Sequence, residues 1–351
     1  MSKTVAVAMS GGVDSSVAAK LLLDQGYKVI GLTLRLWGAK LNDAGQSVAE
    51  IDAKKIAEML NIPHFIIDCQ QYFRESVVEN FISEYALART PNPCVNCNKL
   101  IKFGLLFEEA MLLGADYLAT GHYVQKFINP ITKTHYLQQA TDKSKDQTYV
   151  LYNIKSTMLE KLIFPLGAYS KTEVRALAEQ FNLPVFAKAD SQEICFIPND
   201  NYRDFLVKHS NIKPLKGDFV DINGNILGEH QGLVNYTIGQ RKGFNIAFGK
   251  KMYVLRLDKS KNQVVLADNS EVFAQTLKVT DIVFVDERNL NSEYVLQVKI
   301  RYNAKPALAK IIVKGTTADI VFDQPQRAIT PGQSAAFYEG DILVGGGIIE
   351  C

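Results

Sequence analysis

Short apolar runs alternate with stretches of helical periodicity through the first third of the chain. Residues 4–8 (TVAVA), 28–34 (KVIGLTL), 64–68 (HFIID) and 117–120 (YLAT) are brief and rich in branched or aromatic side chains, so they read as strands. Between them, apolar positions recur every three or four residues over 15–23, 48–60, 72–87 and 99–113, which predicts amphipathic helices. A strand reached through a helix pairs parallel to the one before it, so the pattern predicts an α/β fold: a doubly wound parallel sheet with helices on both faces. Ligands of such sheets bind beyond the carboxyl ends of the strands, where residues 10–16, the stretch around Leu34 and residues 121–122 fall.

The pattern changes near Lys213. PLKGDFVDINGNILGEHQG reads as short strands joined by an Asn-Gly turn, the start of a small domain. Beyond about Glu271, the runs TLKVTDIVFV, EYVLQVKIRY, ALAKIIVKG and TADIVFD alternate between turn residues, the signature of an antiparallel barrel or sandwich.

With 351 residues, 47% of them hydrophobic, the chain is long enough to split into more than one core. No apolar run reaches the roughly 18–20 residues needed to cross a bilayer, and the start lacks a secretory leader's apolar stretch; a cytoplasmic protein with no membrane association is expected. A net charge of +2 excludes a general polyanion binder, so any RNA site must be a local patch. In a reducing compartment the five cysteines are candidates for catalysis or metal binding rather than a disulfide framework.

The segment SGGVDSS, Ser10 to Ser16, follows a strand and opens a helix. Its glycines admit an anion to the backbone, and its N–H groups, hydroxyls and helix dipole supply the positive end. It has no lysine of the GxxxxGK[ST] kind, and Asp14 offers a carboxylate for a magnesium ion, which suits a pyrophosphate leaving group better than γ-phosphoryl transfer. The loop resembles that of the pyrophosphate-loop ATP pyrophosphatases, whose members adenylate a carbonyl oxygen. That family makes several products, so the loop leaves the acceptor open.

In RTPNPCVNCNK a proline-rich loop runs into a helix. Cys97, just ahead of that helix and near Lys99 and Lys102, is expected to have a depressed pKa and to act as a nucleophile. Cys195, in DSQEICFIP, is a candidate sulfur carrier if the fold brings it to Cys97; Cys69 and Cys351 read as small core residues.

The blocks SGGVDSS, RTPNPCVNCNKLIKF, ATGHY, SKDQTYVLY, FPLG, DSQEICFI, GEHQGLVNYTIGQRKG, KIRYNAKP, TPGQSAAFY and GGGIIE, in this order, resemble the bacterial tRNA-specific 2-thiouridylase family over nearly the whole chain. The resemblance implies a catalytic domain over 1–207, a small tRNA-binding domain over 208–270 and a C-terminal β-barrel over 271–351. It implies the wobble uridine, position 34, of tRNA for Lys, Glu and Gln as substrate, with ATP and Mg2+. Ala8, Met9, Ser10, Gly11, Gly12, Val13, Asp14, Ser15, Leu34 and Gly121 would contact ATP, and Asn92, Pro93 and Cys94 would lie against the target base. His122, Lys145, Asp146, Gln147, Arg301, Tyr302 and Gln333 would contact tRNA. Cys97 would be the nucleophile and Cys195 the persulfide carrier, loaded by a sulfur-relay protein or a cysteine desulfurase, with a Cys97–Cys195 disulfide left after transfer. A monomer is implied in the absence of tRNA.

One position departs from the family pattern: Cys94 stands where many members have Asp in the NPDxxCN loop. This removes an acid/base group and creates a Cys94-x-x-Cys97 pair. Three readings stay open: the persulfide route, a [4Fe-4S] cluster held by Cys94, Cys97 and Cys195, and a thioredoxin-like dithiol. A structural zinc site wants four ligands and is disfavoured. Two rival functions differ in what they require: a small-molecule ligase of the same loop family needs no thiol, and a non-enzymatic RNA-binding module performs no ATP–pyrophosphate exchange.

Overall fold

The structure, a computed structural model, describes residues 2–39, 41–188, 194–197, 199, 201–244, 246 and 249–350. The chain enters through β1 (Thr4–Ala8), passes into helix α1 (Val13–Asp24) and returns by β2 (Lys28–Arg35), α2 (Val48–Met59) and β3 (His64–Asp68). Two composite helices follow. The first runs through α3 (Gln70–Phe73), a π-helical segment Arg74–Val78 and α4 (Glu79–Ala86); the second through α5 (Pro93–Asn96), a π-helical segment Cys97–Leu105 and α6 (Leu106–Leu112). Strand β4 (Tyr117–Ala119) leads to a hairpin, β5 (Val124–Ile128) and β6 (His135–Gln139), then to α7 (Ser156–Leu159), β7 (Leu162–Ile163) and α8 (Lys171–Gln180). The parallel sheet has the order β3-β2-β1-β4-β7. The chain steps to either side of β1, and the crevice at that switch point is where such sheets receive ligands.

Helix α9 (Tyr202–His209) connects to a second sheet, in which β8 (Gly217–Val220), β9 (Ile226–His230), β10 (Tyr253–Asp258) and β11 (Gln263–Ala267) take the order β10-β11-β8-β9. The remainder is β12 (Phe273–Phe284), β13 (Glu293–Lys299), β14 (Ala307–Lys314), β15 (Thr317–Arg327), β16 (Ser334–Glu339) and β17 (Ile342–Ile349). Because β12 pairs with both β15 and β17, these strands close on themselves, and the barrel rather than the sandwich is realised. Among the described residues no helix is long and apolar enough to cross a membrane.

Two features position the site. The helix expected to begin at residue 99 begins at Pro93, because the Asn92 side chain accepts a hydrogen bond from the Cys94 N–H and proline suits the first helical position. Cys94 and Cys97 therefore lie inside a helix rather than ahead of one. Second, the β5–β6 hairpin is added to the barrel through β17, with Leu137 opposite Leu343, and one continuous core runs from Ala6 and Leu32 through Leu137 and Tyr149 to Leu296, Ile311 and Phe337. Polar contacts seat the barrel on the loop that precedes Cys94. Thr90 donates its N–H to the Pro331 carbonyl and accepts from the Gln333 amide at 2.7 Å, while Arg89 bridges Glu84 and Glu350.

Candidate active site

Beyond the carboxyl end of β1 the backbone turns sharply. Gly11 takes φ +65°, and a Cβ there would sit 2.7 Å from the Ala49 carbonyl oxygen, so only glycine fits. Gly121, beyond β4, packs so closely on the first turn of α1 that a Cβ would come within 3.0 Å of the Asp14 carbonyl carbon and the Ser15 nitrogen. The fold thus brings residues 8–15 and Gly121 together, with Leu34 near the end of the neighbouring strand β2. Helix α1 has Gly12 as its N-cap and no side-chain cap, which leaves its first-turn N–H groups free to meet an anion.

Two lysines share the charge of this loop. Asp14, expected to support magnesium, is held by the Lys171 ammonium at 2.7 and 2.9 Å and accepts a hydrogen bond from the Tyr123 hydroxyl at 2.7 Å. Lys188 donates to the Gly11 carbonyl and to Asp52, both at 2.9 Å. Lys171 and Lys188 were not found by sequence reasoning. Lys171 had a usable signal, since it opens α8 directly after Ser170, whose side chain and Glu173 form a capping box beyond the FPLG strand end.

Cys97 and Cys69 lie in a separate cluster, against which Leu34 of β2 also packs. Cys97 is buried in an apolar cluster with Cys69, Phe73, Phe81, Ile101, Phe196 and Ile197, so the neighbours of Cys195 in sequence are neighbours of Cys97 in space. Cys94 and Cys195 are exposed. Desolvation by the surrounding protein nevertheless pushes both thiols up, Cys195 to about 12. The depressed pKa expected for Cys97 is corrected: burial raises it, because the thiol lies in the second turn, beyond the reach of the N-terminal dipole, among apolar side chains. Lys102 partly opposes the rise at Cys94, Cys97 and Cys195, and it is the cation these three thiols share. Its ammonium lies 3.4 Å from Nε2 of the buried His122, whose Nδ1 is 2.7 Å from the Thr120 hydroxyl. Cys69 matches its reading as a core residue, its thiol donating to the Arg35 carbonyl. Cys351, residues 190–193 and Pro198 lie outside the described residues.

Among the described residues no group of three or more His, Cys, Asp or Glu side chains is placed to hold a metal ion; Cys97 is buried, and Cys94 and Cys195 are exposed. The raised thiol pKa has a measurable consequence. With Cys94→Ser and Cys97→Ser in place, the rate of Cys195 alkylation by iodoacetamide, followed by peptide mass spectrometry, is expected to climb about tenfold per pH unit from about 7 to 10. No plateau should appear near the ordinary thiol value of about 8.5, because the reactive thiolate stays a minority species throughout.

The residues expected at the tRNA fall into two groups. Asp146 is buried, with one carboxylate oxygen accepting from the Ala140 N–H and the other from the Thr148 hydroxyl; Gln147 exchanges hydrogen bonds with the Tyr123 backbone, and Gln333 is occupied by Thr90. Arg301 donates to the Ile238 and Ala328 carbonyls and the Thr330 hydroxyl, tying the central sheet to the barrel. Asn92 is used as the helix cap and Pro93 is buried. Tyr302 offers an exposed ring beside Tyr149, close enough to Cys94 to feel its charge, and Lys145 is half-buried on the loop that carries Asp146. The arrangement can therefore hold a polyphosphate at one end, thiol chemistry at the other, and an aromatic surface against the thiols.

Three family descriptions match consecutive parts of the chain: the tRNA methyl transferase HUP domain over residues 3–199, the tRNA methyl transferase PRC-barrel domain over 203–268 and the aminomethyltransferase beta-barrel domain over 274–349. The tRNA-specific 2-thiouridylase MnmA of Caldicellulosiruptor saccharolyticus is 48% identical over 358 aligned residues, covering 100% of this chain and 99% of that protein. The enzyme of the same name from Clostridioides difficile is 45% identical, covering 100% and 99%. Among solved structures, the U34-tRNA thiolase NcsA from Methanococcus maripaludis with its [4Fe-4S] cluster is 22% identical over 59% of this chain and 64% of that one, at a TM-score of 0.37. A 4-thiouridine synthetase–RNA complex with bound ATP is 14% identical over 59% and 50%, at 0.38. At those scores the solved structures add no argument.

Proposed function

The chain belongs to the tRNA-specific 2-thiouridylase family, tRNA sulfurtransferases, and from that premise we propose that it thiolates the wobble uridine, position 34, of tRNA for Lys, Glu and Gln in the cytoplasm, acting as a monomer. The observation that carries the reading is the pairing, in one domain, of an open phosphate cradle at the start of α1 with an apolar cluster that joins Cys97 to the residues on either side of Cys195.

ATP enters the cradle, where the α1 N–H groups and Lys171 bind its phosphates; magnesium, when bound, neutralises further phosphate charge. The uracil O2 attacks the α-phosphorus and pyrophosphate leaves, so C2 now carries AMP as a leaving group. Cys195, loaded as a persulfide by a relay protein or a cysteine desulfurase, attacks C2 through its terminal sulfur and displaces AMP. The Cys97 thiolate then attacks the Cys195 sulfur. The S–S bond to the base breaks, its electron pair leaves with the thiolated base, and a Cys97–Cys195 disulfide remains for a dithiol to reduce.

The test is an anaerobic preparation assayed for iron, for ATP–pyrophosphate exchange dependent on unmodified tRNA, and for thiolation with a persulfide donor. Exchange and full thiolation without iron are expected. Thiolation that tracks iron content and vanishes in Cys94→Ala would replace the persulfide route with a cluster, and RNA binding without exchange would leave only a binding module.

A further inference from the structure

Lys299, the last residue of β13, is only 8% exposed. Its ammonium lies 5.9 Å from the centre of the Tyr149 ring and 5.7 Å from that of Tyr302. Among the described residues it has no hydrogen-bond acceptor and no carboxylate within ion-pair distance. The carboxylate that acts on it, Asp146, does so from further away, and both its oxygens are already committed to Ala140 and Thr148. The other polar groups nearby are committed too: the Tyr149 hydroxyl donates to the Ser334 carbonyl, and the Tyr338 hydroxyl pairs with Thr148.

The side chain is buried while the ammonium is not among the fully buried unpartnered polar atoms, so it keeps a path to solvent; a partly desolvated ammonium without an anionic partner is costly, and two ring faces offset only part of that cost. A structural role does not require the charge, since the methylene stem alone fills the space between the rings. What the position lacks is an anion. Tyr302 opens the same place to solvent, and the Cys94 thiol acts electrostatically on its hydroxyl. Lys145 and Gln147 stand on either side of Asp146 in the sequence.

We propose that Lys299 is the floor of a phosphate-binding site for the substrate RNA, holding a backbone phosphodiester next to the nucleotide that packs on Tyr302. The inference rests on the proposed RNA substrate and adds to it a contact made from inside the barrel. Neutralising a phosphate here releases a counterion, and the fixed position of the ammonium sets the register of the strand relative to Cys94.

The test measures affinity for an unmodified glutamate tRNA transcript across a salt series, for the wild type, Lys299→Met and Lys299→Arg, with melting temperatures alongside. Lys299→Met keeps the stem and removes the charge. It is expected to bind about 5- to 30-fold more weakly at low salt, with the slope of log K against log salt reduced by about 0.7–0.9, one phosphate's share. Its melting temperature should not fall, because a desolvated charge has been replaced by an apolar isostere. Lys299→Arg should keep the wild-type slope.

An unchanged slope in Lys299→Met would overturn the proposal. So would weaker binding accompanied by a lower melting temperature in both variants, which is the mark of a structural lysine. A defect confined to KM for ATP would assign the anion to the nucleotide and overturn the RNA assignment. A wild type that binds no tRNA would refute the proposed substrate, and the site with it; that failure is distinct from wild-type binding with an unaffected Lys299→Met.

Discussion

Replacing Cys195 by alanine is expected to abolish thiolation, by at least about a thousandfold, while leaving tRNA-dependent ATP–pyrophosphate exchange within about threefold of wild type. The side chain is exposed, so its loss removes little packing and the folded state should tolerate it. What is lost is the sulfur carrier. Phe196 and Ile197 anchor the Cys195 segment in the cluster that contains Cys97, and Lys102 acts on both thiols. Exchange depends on the other end of the site, where Gly11, Gly121 and the first turn of α1 meet. Cys97→Ala should also stop turnover, but at a later stage: one equivalent of base should accumulate linked to Cys195 through a disulfide, detectable by mass under non-reducing conditions. Cys94→Ala should retain activity within a few fold. Thiolation surviving in Cys195→Ala with a persulfide donor would remove Cys195 from the pathway.

Lys171→Met is expected to do the opposite, lowering exchange and thiolation together by about 10²–10³-fold, or about 2.7–4 kcal/mol of transition-state stabilisation. The Lys171 side chain is only 12% exposed and its ammonium touches both oxygens of Asp14. Without it the phosphate cradle presents an uncompensated carboxylate to an incoming polyanion, and repulsion replaces attraction. Lys171→Arg should recover part of the rate, since the charge returns with different geometry. If exchange is unaffected by Lys171→Met, the ammonium serves only to fix Asp14. The two variants together separate activation from sulfur transfer: one fails at both, the other only at the second.

Much of this architecture could be read from local patterns. The run TVAVA, the glycines of SGGVDSS and the period of 15–23 place a strand, an anion loop and a helix in order, and the structure has β1, the Gly11 turn and α1 there. The alternation beyond Glu271 marks antiparallel strands, and closure through β12 and β17 decides for a barrel. The helix carrying Cys94 and Cys97 begins six residues before the start its apolar period indicates, because that start depends on one hydrogen bond from the Cys94 N–H to Asn92 within a proline-rich stretch. That displacement is also why the Cys97 pKa was expected on the wrong side of its ordinary value. The β5–β6 hairpin was not seen, since its apolar face is completed only by β17, some 200 residues away.

By itself the sequence determined the order of the elements, the phosphate loop and the identity of the thiols. These follow from chemistry within a few residues: glycine's freedom, hydrogen-bond caps and the period of apolar positions. Tertiary structure alone decided the partnership of the functional groups and the acidity of the thiols. Lys171 meets Asp14, Lys102 faces three thiols, Asp146 turns inward, and Lys299 is left between Tyr149 and Tyr302 without an anion. Desolvation and Coulomb energies depend on what surrounds a group in space, and those surroundings come from segments the sequence keeps far apart.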